Sequence, residues 1–182
     1  MKTVLVPLAD GFEEIEAVTI IDILRRAGAA VVSAGLAKRN LTGSHDIHLV
    51  ADSVLAEELG KNWDAIVLPG GVPGTNNLMD DQRLLDLLKK QSAAGKITAA
   101  VCAAPAVLDK AGAIDGREVT IHPTWVDQLN LAQYRGGRVR HDGQIVTGMS
   151  AGAVMEFAFS LVEVLFGPAK AAEINAGVLA RL

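Results

Sequence analysis

The chain's only cysteine, Cys102, stands where the apolar run Ile97-Thr98-Ala99-Ala100-Val101 meets Ala103-Ala104-Pro105-Ala106-Val107-Leu108. The first run reads as a buried strand. The second reads as a helix with Pro105 in its first turn, where a missing N–H costs nothing. A side chain on that junction is held at the carboxyl end of a strand and faces the unpaired N–H groups and positive dipole end of a helix. Those groups favour a thiolate, and the geometry is that of a nucleophile elbow with cysteine in place of serine. The expectation is a thiol that titrates below the ordinary value of about 8.5. Read from this window alone, Cys102 is more simply a small core hydrophobe.

Three further groups of residues could complete a site. In Pro69-Gly70-Gly71-Val72-Pro73-Gly74, two glycines follow an apolar strand and allow close approach of a ligand to backbone N–H groups. A tight turn is the plain alternative, and neither phosphate-binding fingerprint is present. For carbonyl chemistry, the N–H groups of Gly71 and Ala103 would serve as an oxyanion hole. In Glu13-Glu14-Ile15-Glu16, the first two acids suit a helix's first turn and need no further role. Glu16 instead borders the apolar face traced by Phe12, Ile15, Thr19 and Ile20. A carboxyl pushed inward there would have a raised pKa and could donate a proton to a thiolate. His122 ends the apolar stretch Val119–Ile121, before Pro123, as a general base, a thiolate stabiliser or a simple strand-end cap. His45, His48 and His141 fall in polar or hairpin segments and read as surface residues. No close His, Cys, Asp or Glu spacing suggests a metal site, and no motif implies a cofactor.

The elements that must position these residues alternate. Strands are expected at Thr3–Leu8, Ala29–Leu36, Ala65–Leu68, Ile97–Val101 and Glu118–Ile121, with a short strand at Asp46–Ala51 and a hairpin of Arg138–His141 with Gln144–Thr147. Helices are expected at Glu13–Ala27, Gln82–Ala94, Ala103–Ala111 and Ala151–Phe166, with short turns at Leu55–Leu59 and Trp125–Leu131 and a last helix after Pro168. Such alternation implies right-handed crossovers and a doubly wound, mostly parallel, flavodoxin-like α/β domain spanning residues 1–182. In that architecture ligands bind outside the carboxyl ends of the strands, where Ala9–Phe12, Pro69–Asn77, Cys102–Pro105 and His122–Trp125 emerge.

Composition narrows the partners. Half the residues are apolar but only 4% are aromatic, the content expected of Val-, Leu-, Ile- and Ala-rich strands covered on both faces. The net charge is −4, from 17 basic and 21 acidic residues without a basic block, which disfavours nucleic acid. The longest stretch without a charge, Ala65 to Met79, holds 15 residues, three glycines and two prolines, unlike a membrane span. Met1-Lys2 followed by a short, proline-containing apolar run is a first strand, not a signal peptide. One cysteine forms no internal disulfide, as expected of a cytoplasmic protein.

Four blocks together carry a family resemblance: Asp10-Gly11-Phe12-Glu13-Glu14-Ile15-Glu16, Val67-Leu68-Pro69-Gly70-Gly71, Ala99-Ala100-Val101-Cys102-Ala103-Ala104-Pro105 and Val119-Thr120-Ile121-His122-Pro123. They resemble the signatures of the ThiJ/PfpI superfamily, nearest the branch of a parkinsonism-associated deglycase and its bacterial relatives. The resemblance implies a flavodoxin-like homodimer with Cys102 as the reactive cysteine, Glu16 as its protonated partner, Gly71 and Ala103 as oxyanion donors and His122 nearby. It implies glutathione-independent glyoxalase or deglycase-like activity on small aldehydes such as methylglyoxal and glyoxal, or an oxidation-sensing or chaperone-like role with Cys102 as the sensor. Peptidase branches place histidine after the cysteine, where this chain has Ala103. Glutamine amidotransferases place glutamate two residues after the histidine, where it has Thr124. Met149-Ser150-Ala151-Gly152 replaces a Gly-Pro-Gly segment often preceded by Arg or Gln, and His45 replaces an arginine, which implies a pocket with little positive charge.

Overall fold

The computed structural model describes residues 1–180. In chain order the elements are β1 (Thr3–Leu8), α1 (Glu14–Arg26), β2 (Ala30–Gly35), β3 (Asn40–Thr42), β4 (His48–Val50), β5 (Ser53–Val54), α2 (Leu55–Glu58), β6 (Ala65–Leu68), α3 (Gly74–Asp80) and α4 (Gln82–Ala93). They continue with β7 (Ile97–Val101), α5 (Pro105–Lys110), β8 (Glu118–Val119), β9 (Gln133–Tyr134), β10 (Val139–Asp142), β11 (Ile145–Gly148), α6 (Val154–Phe166) and α7 (Pro168–Val178). Seven strands form one sheet in the order β10-β11-β7-β6-β1-β2-β5. Its neighbours run parallel except β10, which is antiparallel to β11. From β1 the chain winds to β2 on one side and later to β6 and β7 on the other. The switch of direction, where a crevice opens, therefore lies between β1 and β6.

Side chains along the central strands alternate between two cores. Val4, Val6 and Leu8 of β1, Ala65 and Val67 of β6, and Ile97, Ala99 and Val101 of β7 face one side. Leu5, Ile66, Leu68 and Ala100 face the other. Burial on both faces is why these strands read as unbroken apolar runs. On the first face α1, α6 and α7 supply Ile20, Leu24, Phe157, Leu161 and Ile174. On the second, α4 and α5 supply Leu84, Leu88, Val107 and Leu108. Each fully buried side chain of the size of Ile20 or Leu24 contributes about 1.5–3 kcal/mol relative to exposure.

The doubly wound α/β reading holds, with local corrections. Glu118–Ile121 does not join the main sheet: two of its residues pair with β9. Thr120 is held by side-chain bonds instead, its N–H donating to Thr147 Oγ1 at 2.9 Å and its Oγ1 to Gly137 O at 2.7 Å. The helix after Cys102 begins at Pro105, because Ala104 N–H first closes a turn onto Val101 O at 3.1 Å. Helix α3 lies in a stretch whose glycine and two asparagines read as loop. It is pinned by Thr75 N–H on Gly71 O at 2.8 Å and by Asn77 Nδ2 on Asp10 O at 2.9 Å.

Candidate active site

Cys102, Glu16, His122, Gly71 and Ala103, the five residues expected from sequence, all line one cavity of about 440 Å³ at the carboxyl ends of the strands. Cys102 adopts φ 62°, the left-handed region that non-glycine residues avoid at a cost of about 1–3 kcal/mol. Two bonds hold it there: its N–H donates to Gly148 O at 3.0 Å, and its carbonyl accepts from His122 N–H at 2.9 Å. This is the elbow inferred from sequence. The helix behind it is short, so the donor that reaches the sulfur is Ala103 N–H.

Glu16 is fully buried. Its Oε2 accepts Gly70 N–H at 2.7 Å, whereas its Oε1 is buried without a partner. Glu16 does not border an apolar stripe but lies within it: the inner face runs through Phe12, Glu16, Ile20, Ile23 and Leu24, and Ile15 is exposed. Burial raises its pKa from 4.5 to about 7, against the lowering effects of the Gly70 and Cys102 hydrogen bonds. With Glu16 charged, burial, the neighbouring charge and the hydrogen bond to it push Cys102 up to about 12, and only Ala103 N–H lowers it. The low thiol pKa expected from the helix end together with a donor carboxyl is therefore not met while Glu16 is charged. The two acids are coupled, so their protons belong to the pair. A proton on Glu16 removes the charge from an unpartnered buried oxygen and reverses both of that residue's effects on the sulfur.

Gly70 makes room for this pair. A Cβ there would lie 2.8 Å from Cys102 Cβ, 2.9 Å from Glu16 Oε2 and 3.1 Å from Ala103 N. Gly70→Ala is therefore expected to cost about 1–3 kcal/mol through overpacking and to slow alkylation of Cys102 by iodoacetamide several-fold. A wild-type alkylation rate in the variant would show that the three groups are less tightly packed. Gly71 has φ +95°, and a Cβ on it would lie 2.3 Å from Glu13 N, so both conformation and space require glycine.

His122 Nδ1 lies 2.8 Å from Thr124 Oγ1 and accepts Thr124 N–H at 3.3 Å. A ring nitrogen that accepts an N–H carries no proton, so the hydrogen-bond pattern assigns the neutral ring's proton to Nε2. Of the roles left open by sequence, this geometry favours a donor over a free base.

Sequence reasoning missed part of the wall. Glu13 was not expected there, whereas Val72, Thr124 and Trp125 come from rim segments expected from sequence, and Ser150, Ala151 and Gly152 from the segment that the family resemblance set near the pocket. The last three follow β11, which neighbours β7, and that adjacency became visible only with the sheet order. Glu14 has a larger role than helix-dipole compensation. Its carboxylate accepts His45 N–H at 2.7 Å and lies 3.0 Å from His45 Nδ1, fixing the β3–β4 turn on α1. Burial works to raise its pKa, but the His45 and other hydrogen bonds prevail and hold it at about 2. The same contact raises the His45 pKa. Glu13, Glu14 and His45 bring three possible ligand atoms within 4.8 Å, a grouping hidden by their distance in sequence. Their mutual bonds and those of Ser44 account for it.

A sequence profile of the DJ-1/PfpI family matches residues 2–164. The chain belongs to the DJ-1/PfpI family. Protein DJ-1 homolog A of Arabidopsis thaliana is 40% identical over 99% of this chain and 47% of its own length. The chain thus spans about half of that relative, and 41% of the second Arabidopsis homologue. The crystal structure of Drosophila melanogaster DJ-1beta superposes with a TM-score of 0.96 at 38% identity, covering 100% of this chain and 99% of that one. A Caenorhabditis elegans relative named glutathione-independent glyoxalase DJR-1.2 is 34% identical over 92% of this chain and 89% of its own. The DJ-1/PfpI resemblance read from the four blocks therefore holds along the chain.

Proposed function

We propose that the protein converts small 2-oxoaldehydes such as methylglyoxal and glyoxal into hydroxy acids without glutathione. The observation that carries this reading is the buried Glu16 beside Cys102 on its elbow, next to Gly70, Gly71 and Ala103. The glyoxalase name of the nematode relative supports it. The reactive form has the pair's proton on Glu16 and the charge on sulfur. The thiolate adds to the aldehyde carbon: an S–C bond forms, and the carbonyl electron pair moves to oxygen. That oxygen accepts from Gly71 and Ala103 N–H and takes the proton of Glu16. Charged Glu16 then removes the hydrogen on the former aldehyde carbon as a proton, and His122 Nε2–H steadies the enediolate oxygen. The hydroxyl proton on the first carbon passes to the enediolate oxygen, Glu16 returns its proton to the neighbouring carbon as the first carbon's carbonyl re-forms, and one water hydrolyses the resulting thioester to lactate and free Cys102. The net change moves one hydrogen between adjacent carbons and adds one water. Lactate formation from methylglyoxal, lost in Cys102→Ser, tests the reading. No turnover, together with selective oxidation of Cys102 to the sulfinate, would favour an oxidation-sensing or chaperone-like role instead.

We also propose a homodimer. Ile15 and Val18 on α1 are 59% and 52% exposed, and Ile47 and Val50 at the β3–β4 hairpin are 58% and 65% exposed. Val18, Ile21, Leu49 and Val50 line one surface hollow, so part of this apolar surface is continuous. The charges beside it are already paired: Arg26 with Asp22 at 2.7 Å, and Arg25 with Asp52 at 2.7 Å rather than with Asp22. An isologous two-fold contact near α1 would cover it. Light scattering at micromolar concentration is expected to give twice the 19.1 kDa chain mass; the monomer mass would refute this. No helix among the described residues is long and apolar enough to cross a membrane. A single unpaired cysteine suits a reducing, cytoplasmic setting.

A further inference from the structure

The cavity around Cys102 has two unlike flanks. In the sheet order β11-β7-β6-β1, Cys102 after β7 is central. On one side lie Gly71 after β6 and Glu16 on α1, the groups of the reaction. On the other, Ser150 follows β11, and Trp125 stands on the 3-10 turn Pro123–Gln128, whose preceding segment is tied to β11 by Thr120 N–H on Thr147 Oγ1 at 2.9 Å. The chemistry of a three-carbon dicarbonyl uses the first flank. It leaves the second unassigned.

Size and surface describe what the second flank would take. Liquid water occupies about 30 Å³ per molecule, so a cavity of about 440 Å³ exceeds the needs of the five non-hydrogen atoms of methylglyoxal. Trp125 is half-buried at the cavity wall, presenting a large rigid aromatic surface on a turn anchored by its N–H on His122 O at 2.8 Å. Ser150 lines the same space and caps no helix with its side chain, so its hydroxyl can meet a second carbonyl. The lining carries two acids, Glu13 and Glu16, and neither Lys nor Arg, which disfavours a carboxylated or phosphorylated tail.

We infer that the Trp125–Ser150 flank is a subsite for the substituent of the oxoaldehyde, and that the preferred substrates are uncharged 2-oxoaldehydes bearing a planar aryl group. This rests on the oxoaldehyde reading above and adds a specificity-determining residue, Trp125. The aldehyde carbon meets Cys102, the second carbonyl lies within reach of both His122 and Ser150, and the ring stacks on the indole, a pairing favoured beyond its buried area.

The test compares phenylglyoxal with methylglyoxal. The ratio of their kcat/KM values is expected to favour phenylglyoxal, to fall about tenfold in Trp125→Ala and to fall less than threefold in Trp125→Phe. A second readout needs no turnover: the rate of Cys102 alkylation by 2-iodo-N-phenylacetamide relative to iodoacetamide, each corrected for its rate with free cysteine. That ratio should also drop about tenfold in Trp125→Ala. A drop in the alkylation ratio without turnover of either aldehyde would uphold the subsite and overturn the oxoaldehyde reading. Turnover of both aldehydes, with neither ratio moved by Trp125→Ala, would overturn the subsite alone. Circular dichroism of the variants separates either result from misfolding.

Discussion

Glu16→Gln is expected to make the protein more stable above neutral pH while removing most of its activity. Burial raises the Glu16 pKa from 4.5 to about 7, so the folded chain keeps a proton that the unfolded chain releases. Stability from this group is fully present below about pH 4.5 and is lost as pH rises through about 7. A shift of that size corresponds to about 3 kcal/mol. For a chain of this length it amounts to a Tm difference of about 6–12 °C at pH 8, vanishing near pH 4. Glutamine can still accept the Gly70 N–H with its carbonyl, so the 2.7 Å bond that holds the side chain has a replacement. It cannot shuttle a proton, and loss of a positioned acid–base group costs about 10²–10⁴-fold in kcat. Thermal melts at pH 5 and pH 8 check the first part. Equal Tm differences at both values would mean that Glu16 titrates normally.

Methylglyoxal is expected to be preferred over glyceraldehyde 3-phosphate by at least about a hundredfold in kcat/KM at low salt. Recognition of a phosphate ordinarily draws on Arg or Lys, and the cavity lining offers Glu13, Glu16 and His122 instead. The candidate cations nearby are engaged elsewhere. His45 pairs with Glu14 at 3.0 Å and Glu13 at 3.5 Å, Arg138 with Glu156 at 2.8 Å, and Arg26 with Asp22 at 2.7 Å. A dianion placed beside Glu13 and the single negative charge of the Glu16–Cys102 pair is repelled by about 1 kcal/mol per pair of unit charges at 4 Å even in water, and by several-fold more near a protein surface. Equal or better use of the phosphorylated aldehyde would mean that a cation reaches the site from elsewhere, such as a partner subunit.

The elements that position Cys102 were legible because their signals are local. The β1, β6 and β7 runs lie between polar or glycine-containing segments, and the boundaries read for all three match the structure. The elbow at Cys102 followed from a strand running directly into an Ala-Pro helix start. Glu16 was found with its environment misread, because the step Phe12–Glu16–Ile20 places an acid inside the apolar stripe rather than at its margin. The residues that escaped notice depend on contacts distant in sequence. Ser150 and Gly152 join the cavity because β11 pairs with β7, and Glu13 because its N–H bonds to the Gly70 carbonyl. The small role of the helix dipole had a similar origin. A φ of 62° at Cys102 delays the helix to Pro105, and no propensity in the run Ala103–Ala106 announces that delay.

The proposed chemistry requires one proton shared by Glu16 and Cys102, carried on the carboxyl in the reactive form. Thiolate ultraviolet absorbance followed against pH, in wild type with Cys102→Ser as the blank, tests this most directly. The thiolate signal is expected to grow below the free-cysteine value of about 8.5, because the charge settles on sulfur when the proton stays on Glu16. Glu16→Ala removes that internal donor, and its signal is expected to move to higher pH. A wild-type thiolate that emerges only above the free-cysteine value of about 8.5, unmoved by Glu16→Ala, would place the proton on sulfur and contradict the account.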